Sequence, residues 1–289
     1  MANFILSAFA DEADSCLAGQ IKALKANNIT HIEPRGLDLG NISTYTAEQC
    51  RELKKVLDDN GIAVSSIGSP YGKIKIRDDF TEHFDSFKRC VENAAILGTE
   101  RIRMFSFFKE EHEAWKLLRD EVFYRLEKMA DYSLSGGIWC CHENEKGIYG
   151  DTEARCYDIL FHFEGKIKGV FDPANFIQCG VDVINAYKLL EQYIDYFHIK
   201  DGFYKDGSIV PVGHGDGKVA QLLKMFDQKQ GDRFLTLEPH LRVFDGLKDL
   251  EEEGGTADKL KEDFTYPTNE AAFNAAADAL HALLRSIDK

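Results

Sequence analysis

The chain has 289 residues, of which 44% are hydrophobic and 11% aromatic: enough apolar matter for a large core, and too much for disorder. Its formal net charge is −14, with 49 acids against 35 Lys and Arg and no basic block, so phosphate backbones and anionic lipid are repelled. That balance excludes nucleic acid and membrane as expected partners, and no run approaches the ~20 apolar residues that span a bilayer.

Residues 3–9 (NFILSAF) read as a first strand. Ala8 and Ala10 mimic a signal-cleavage site, but no basic segment leads the run, and the run is short for an export signal. Further strand candidates follow at 29–33, 62–67, 101–105, 138–142, 167–171, 194–199 and 234–238, each with a helical pattern behind it. Thr46-Ala47-Glu48-Gln49 is a capping-box signature for a helix running toward Asn60-Gly61, and Thr152-Glu153 opens another. Residues 106–136 read as a long helical stretch, including Glu110–Arg119 and Glu121–Tyr132. An acidic, Gly-bearing insertion at about 241–267 follows the last strand, too long for an ordinary loop; a lid, an oligomer contact and a solvated loop all fit it.

Eight strand–helix units without a break in composition predict an α/β fold, a single (β/α)8 TIM barrel with eight parallel strands across 1–289. An open doubly wound sheet is the alternative. Seven cysteines, an odd number with no CxxC pair, fit reduced thiols in a cytoplasmic protein.

Four of the apolar runs end in a side chain that resists burial: Glu143, Asp172, His198 and Glu238. On a barrel these positions share the C-terminal mouth, where catalytic groups collect. Three carboxylates and one imidazole suit one divalent cation, Mn²⁺, Mg²⁺ or Co²⁺, and zinc is also compatible. The plainer reading is that each acid caps the following helix or pairs with a lysine. Alternation along the strands turns Trp139 and Cys141 inward below Glu143, Tyr196 below His198, and Phe234 and Thr236 below Glu238. His142 then points outward, Trp139 forms the barrel floor, and Lys200 lies just beyond the rim.

The chain resembles the xylose-isomerase-like TIM-barrel superfamily, the sugar phosphate isomerase/epimerase group. The resemblance rests on Ile32-Glu33, Ser66-Ile67-Gly68-Ser69-Pro70 with Gly72-Lys73, Glu143-Asn144, Phe171-Asp172-Pro173-Ala174-Asn175, His198-Ile199-Lys200-Asp201, Pro211-Val212-Gly213-His214-Gly215 and Leu237-Glu238. It implies that Glu143, Asp172, His198 and Glu238 bind one divalent metal. In ketose epimerases of that group, the two matching glutamates also act as acid and base on opposite faces of the substrate. The implied activity is isomerisation or epimerisation of a small sugar or polyol-derived ketone through a metal-stabilised enediolate, in a chain that can form homo-oligomers. Alternatives are a dehydratase of the inosose-dehydratase type, an abasic-site endonuclease, or a non-catalytic sugar-binding barrel.

Two positions depart from the pattern. Asn175 stands where some relatives carry a histidine; it can bond a hydroxyl but cannot titrate. Residues 201–218 lack the arginine of ketose epimerases, and His214 is the candidate substitute. Glu33, Lys73, Asn175, Lys200 and His214 are thus the candidate substrate-binding residues, with ion pairing of Glu33 to Arg35 or Arg103 as the competing role. Gly213–Gly217 looks like a phosphate cradle, yet Asp216 opposes an anion there, so it reads as a turn.

Overall fold

The computed structural model describes residues 1–244 and 264–289. Most of the expected insertion at 241–267 therefore lies outside the described residues. Strands β1 (Ala2–Ala8), β2 (His31–Ile32), β3 (Ala63–Val64 and Ile67–Gly68), β4 (Arg101–Met104), β5 (Trp139–Glu143), β6 (Ile167–Phe171), β7 (Ile194–Ile199) and β8 (Gly231–Leu237) form one parallel sheet. The first half of β3 pairs with β2 and the second half with β4, so this interrupted strand joins the two ends of the sheet. The ring is completed by β1 against β8, in register from Ala2–Gly231 to Ala8–Leu237. This is the α/β barrel that eight strand–helix units call for.

Two layers of apolar packing follow from strand alternation. The large core lies between the strands and the outer helices. A small separate cluster of Cys141, Val170 and Tyr196, with Trp139 and Phe234 against it, fills the lumen. The inward turn of these residues, expected from counting back along each strand, places a packed floor under the C-terminal mouth. His142, on the other side of β5, is buried with Nε2 2.9 Å from Ser106 Oγ.

The helices begin where their caps dictate. Thr46 accepts from Gln49 N–H while Gln49 Oε1 accepts from Thr46 N–H, closing the capping box of Ala47–Asp59. Thr152 caps Glu153–His162. One expectation is corrected: the long helix occupies Trp115–Ser135, and residues 106–114 lie outside it. Phe107 has φ 68°, left-handed backbone that a helix cannot use, and Glu110 and Glu113 are drawn away by Lys75 and Arg77. All seven cysteines are free thiols. No helix among the described residues is long and apolar enough to cross a membrane.

Candidate metal centre

The mouth of the barrel gathers four side chains from four consecutive strands. Glu143 ends β5, Asp172 follows β6, His198 lies on β7 and Glu238 follows β8. Each offers a ligand atom, these atoms lie within 4.8 Å of one another, and all four residues are buried. His198 Nδ1 is 2.9 Å from Glu143 Oε1 and 3.3 Å from Glu238 Oε2. Asp172 does two jobs. Its Oδ1 accepts from Asn175 N–H and caps the short helix Pro173–Gln178, while Oδ2 accepts no hydrogen bond and faces Lys200 Nζ at 2.9 Å. Helix capping and metal ligation are therefore compatible for this residue.

Burying so many acids is costly unless they are paired. Three cations do the pairing. Arg103 Nη1 donates to Glu143 Oε2 at 2.8 Å; Lys200 Nζ sits 3.3 Å from Glu238 Oε2; Arg35 Nη1 donates to Glu238 Oε1 at 3.1 Å. Burial pushes the Glu143 carboxyl up, but His198 and Arg103 outweigh it and bring it down to about 2. Glu238 is likewise held well below the usual range, with Lys200 and His240 overcoming its burial. Asp172 goes the other way: burial, aided by Glu238 and Glu143, raises it to about 7 against the pull of Lys200. Burial opposes charge on His198, yet Glu143 and Glu33 raise its affinity for a proton well above the ordinary imidazole value.

The donor set fits a hard or borderline divalent ion: carboxylate oxygens and one imidazole nitrogen converge on one point, and Asp172 Oδ2 accepts no hydrogen bond and is held only by its ion pair with Lys200. A second group, Glu12, Glu238 and His240, also brings ligand atoms within 4.8 Å. There the guanidinium of Arg35 already donates to Glu12 Oε1 and Glu238 Oε1, and a permanently charged group fills the place of a second cation.

The other sequence candidates divide. Glu33 lies in the lumen behind His198, accepting from Tyr196 Oη at 3.0 Å and Thr236 Oγ1 at 2.9 Å; neither Arg35 nor Arg103 hydrogen-bonds to it. Asn175 Nδ2 donates to Glu143 Oε1 at 3.2 Å and to Asn144 O at 3.0 Å, which puts it beside the cage. Lys200 is buried among the ligands rather than free at the rim. Lys73 sits further out, 3.0 Å from Glu145 and 4.4 Å above the ring of Phe105. His214 is exposed against Phe264 and does not join the four ligands. The Gly213–Gly217 segment is a turn wrapped on the chain's own carboxylate: Asp201 accepts from the N–H groups of Gly213, Gly215 and Gly217. A Cβ at Gly215 would come within 2.3 Å of Asp201 Oδ1, which explains the glycine.

Sequence reasoning missed Asp11, Glu12, Arg35 and His240. Arg35 clasps both oxygens of Asp11, touches Glu12 and Glu238, and lies 4.3 Å over Phe9, whose ring meets His198 edge-on. The signal was present, since Asp11-Glu12 also follow an apolar strand run, as Glu143 and Glu238 do.

A parallel barrel with a buried carboxylate–imidazole cage at its C-terminal mouth defines a class of TIM barrels with a group that could hold a metal there. The chain belongs to the xylose isomerase-like TIM barrel family, whose family model matches residues 21–262. No curated protein sequence matches it. Its fold is shared with a zinc-bound IOLI protein at TM-score 0.74 and 14% identity, covering 98% of this chain and 99% of that one. It is shared also with an L-ribulose 3-epimerase at TM-score 0.71 and 16% identity, covering 100% and 96%. A third is the probable 3-DHS dehydratase of petrobactin synthesis from Bacillus anthracis, at TM-score 0.70 and 15% identity, covering 97% and 99%.

Proposed function

We propose that the chain is a divalent-metal-dependent isomerase or epimerase of a small sugar or sugar-derived ketone. The observation that carries this reading is the convergence of Glu143, Asp172, His198 and Glu238 within 4.8 Å, inside a barrel of this family. Mn²⁺, Mg²⁺, Co²⁺ or Zn²⁺ held there would draw electron density from a substrate carbonyl and its neighbouring hydroxyl, acidifying the carbon-bound proton between them.

The chain's own residues supply the rest. Glu143 and Glu238 come from β5 and β8, and both rest as carboxylates, the form that accepts a proton, with the cations around them weakening each as a base. Taking it on one face and returning it from the other inverts the carbon; returning it to the adjacent carbon exchanges ketose for aldose. Because both glutamates rest as anions, the returning one must first be loaded with a proton, from solvent or from a substrate hydroxyl. Asn175 and Lys200 line the same space, one offering amide hydrogens and the other an ammonium to substrate oxygens. The floor of Trp139, Cys141, Tyr196 and Phe234 closes the lumen beneath.

The test is incubation of metal-loaded protein with a ketose panel in D2O, followed by NMR. Deuterium entering with inversion identifies an epimerase, and a moved carbonyl an isomerase. A new enone or deoxy product would replace this reading with a dehydratase, and no exchange on any ketone would overturn it.

A further inference from the structure

We propose that Arg103 docks a carboxylate of the substrate, so that the ketone processed here belongs to a sugar acid rather than a neutral sugar. This rests on the reading of the site as a ketone-processing metal centre. Arg103 points inward from β4 and is 2% exposed. Its Nη1 is committed to Glu143 Oε2, and its guanidinium lies between Phe105, at 4.6 Å, and Phe9, at 5.2 Å. Its Nε and Nη2 are buried with no hydrogen-bond partner.

Those two nitrogens form the side-on edge of the guanidinium, where two N–H groups point the same way and match the two oxygens of a carboxylate. Two other arginines close this edge on both oxygens of an acid. Arg35 grips Asp11 with it at 2.9 and 3.0 Å, and Arg119 grips Asp158 at 2.7 and 2.7 Å. In Arg103, the arginine bonded to Glu143, both donors of this edge are unmet. Leaving two charged donors buried and unmade is costly, so a partner is expected.

The acids that act on Arg103 already have partners. Glu33 is bonded to Tyr196 and Thr236, and Glu143 spends Oε1 on His198 and Asn175. The hydroxyls of a neutral ketose can accept from these N–H groups but bring no charge, and a charge-assisted pair is roughly twice as strong. Glu143, Glu238 and Glu33 all act on Arg103, so a doubly charged phosphate meets more repulsion than a singly charged carboxylate.

The test is calorimetric titration of Mn²⁺-loaded protein with hexuloses such as D-fructose and D-tagatose and with their 6-carboxylates, D-fructuronate and D-tagaturonate. At least one acid should bind roughly ten- to hundredfold more tightly than its neutral counterpart, the span expected of a charge-assisted bidentate contact. Arg103→Gln should erase that advantage, acid and neutral ketose then binding alike, with metal content read in the same sample because Arg103 also pairs with Glu143. Acids that bind no better than neutral ketoses to the unmodified protein overturn the proposal, as does an advantage that survives Arg103→Gln. The comparison of acid with neutral ketose on the unmodified protein stands even where the variant fails to fold. Absence of bound Mn²⁺ instead defeats the metal-centre reading itself, which metal analysis of the same sample distinguishes.

Discussion

Glu33 Oε2 lies 3.5 Å from His198 Nε2, on the far side of the imidazole from Glu143 and Glu238, which face Nδ1. A carboxylate behind Nε2 favours a proton on that nitrogen and a lone pair on Nδ1, aimed where a cation would sit. Glu33 reads as a positioning residue for the ligand His198, held in place by Tyr196 and Thr236. Glu33→Gln keeps an oxygen for those hydroxyls and removes the charge. Mn²⁺ affinity should fall ~10- to 100-fold, with the circular dichroism spectrum unchanged. Calorimetric titration with Mn²⁺ checks it; unchanged affinity would detach Glu33 from the metal centre.

The ligands themselves should behave differently. Asp172→Asn keeps the Oδ1 that caps Pro173–Gln178 and removes the ligand charge facing Lys200. His198→Ala removes the only nitrogen donor of the four-residue cage. Both variants should purify with less metal than the unmodified protein, measured by elemental analysis. Full occupancy in both would mean that the ion, if any, sits elsewhere.

Metal uptake should depend on pH through Asp172. Its carboxyl is raised to about 7 by burial, so the metal-free protein carries a proton there below neutrality. Each ligand must shed its proton to bind, and His198, whose proton affinity is raised well above the ordinary value, sheds one as well as Asp172, so affinity should keep rising with pH. Displacing both protons gives a slope of ~100-fold per pH unit below about pH 7, easing to ~tenfold above it where Asp172 is already ionised. Titrations with Mn²⁺ between pH 5.5 and 8 should show the slope, reduced in Asp172→Asn.

Much of this architecture was legible because apolar runs and strand alternation are local properties. Counting back in twos from Glu143 and His198 placed Trp139, Cys141 and Tyr196 in the lumen, where they pack with Val170 and Phe234. The Thr46 capping box was readable for the same reason. What escaped depended on convergence. Arg35 lies two residues past Glu33, beyond a strand of only two residues, and meets Asp11, Glu12 and Glu238 across the barrel mouth. The start of β8 was also missed: Gly231, Asp232 and Arg233 look like loop, yet they pair with β1 in unbroken register. The helix over-extended into 106–114 because helical periodicity carries no sign of the left-handed backbone at Phe107.

Stability should carry its own pH signature from His142. Burial holds this imidazole below its ordinary 6.5, at about 4, so the unfolded chain takes up a proton first as pH falls. The neutral histidine's contribution is therefore fully present above pH 6.5 and declines between 6.5 and 4. Melting temperatures of the unmodified protein relative to His142→Gln should fall through that window and stay constant above it. A difference that does not vary with pH would contradict the buried neutral form.

Glu143 and Glu238 are proposed to move the proton while the cage holds the ion. Replacing either with Gln keeps an oxygen ligand and removes the group that carries the proton, a loss typically worth ~10²–10⁴-fold in rate. The rate of substrate carbon-bound proton exchange with D2O, followed by NMR alongside metal content, separates these two roles in Glu143→Gln and Glu238→Gln. Metal should be retained at least in part with turnover collapsed in both, one variant still exchanging the proton from a single face without inversion. Near-normal turnover in both would contradict the acid–base pair and move the chemistry to another group, such as Lys200.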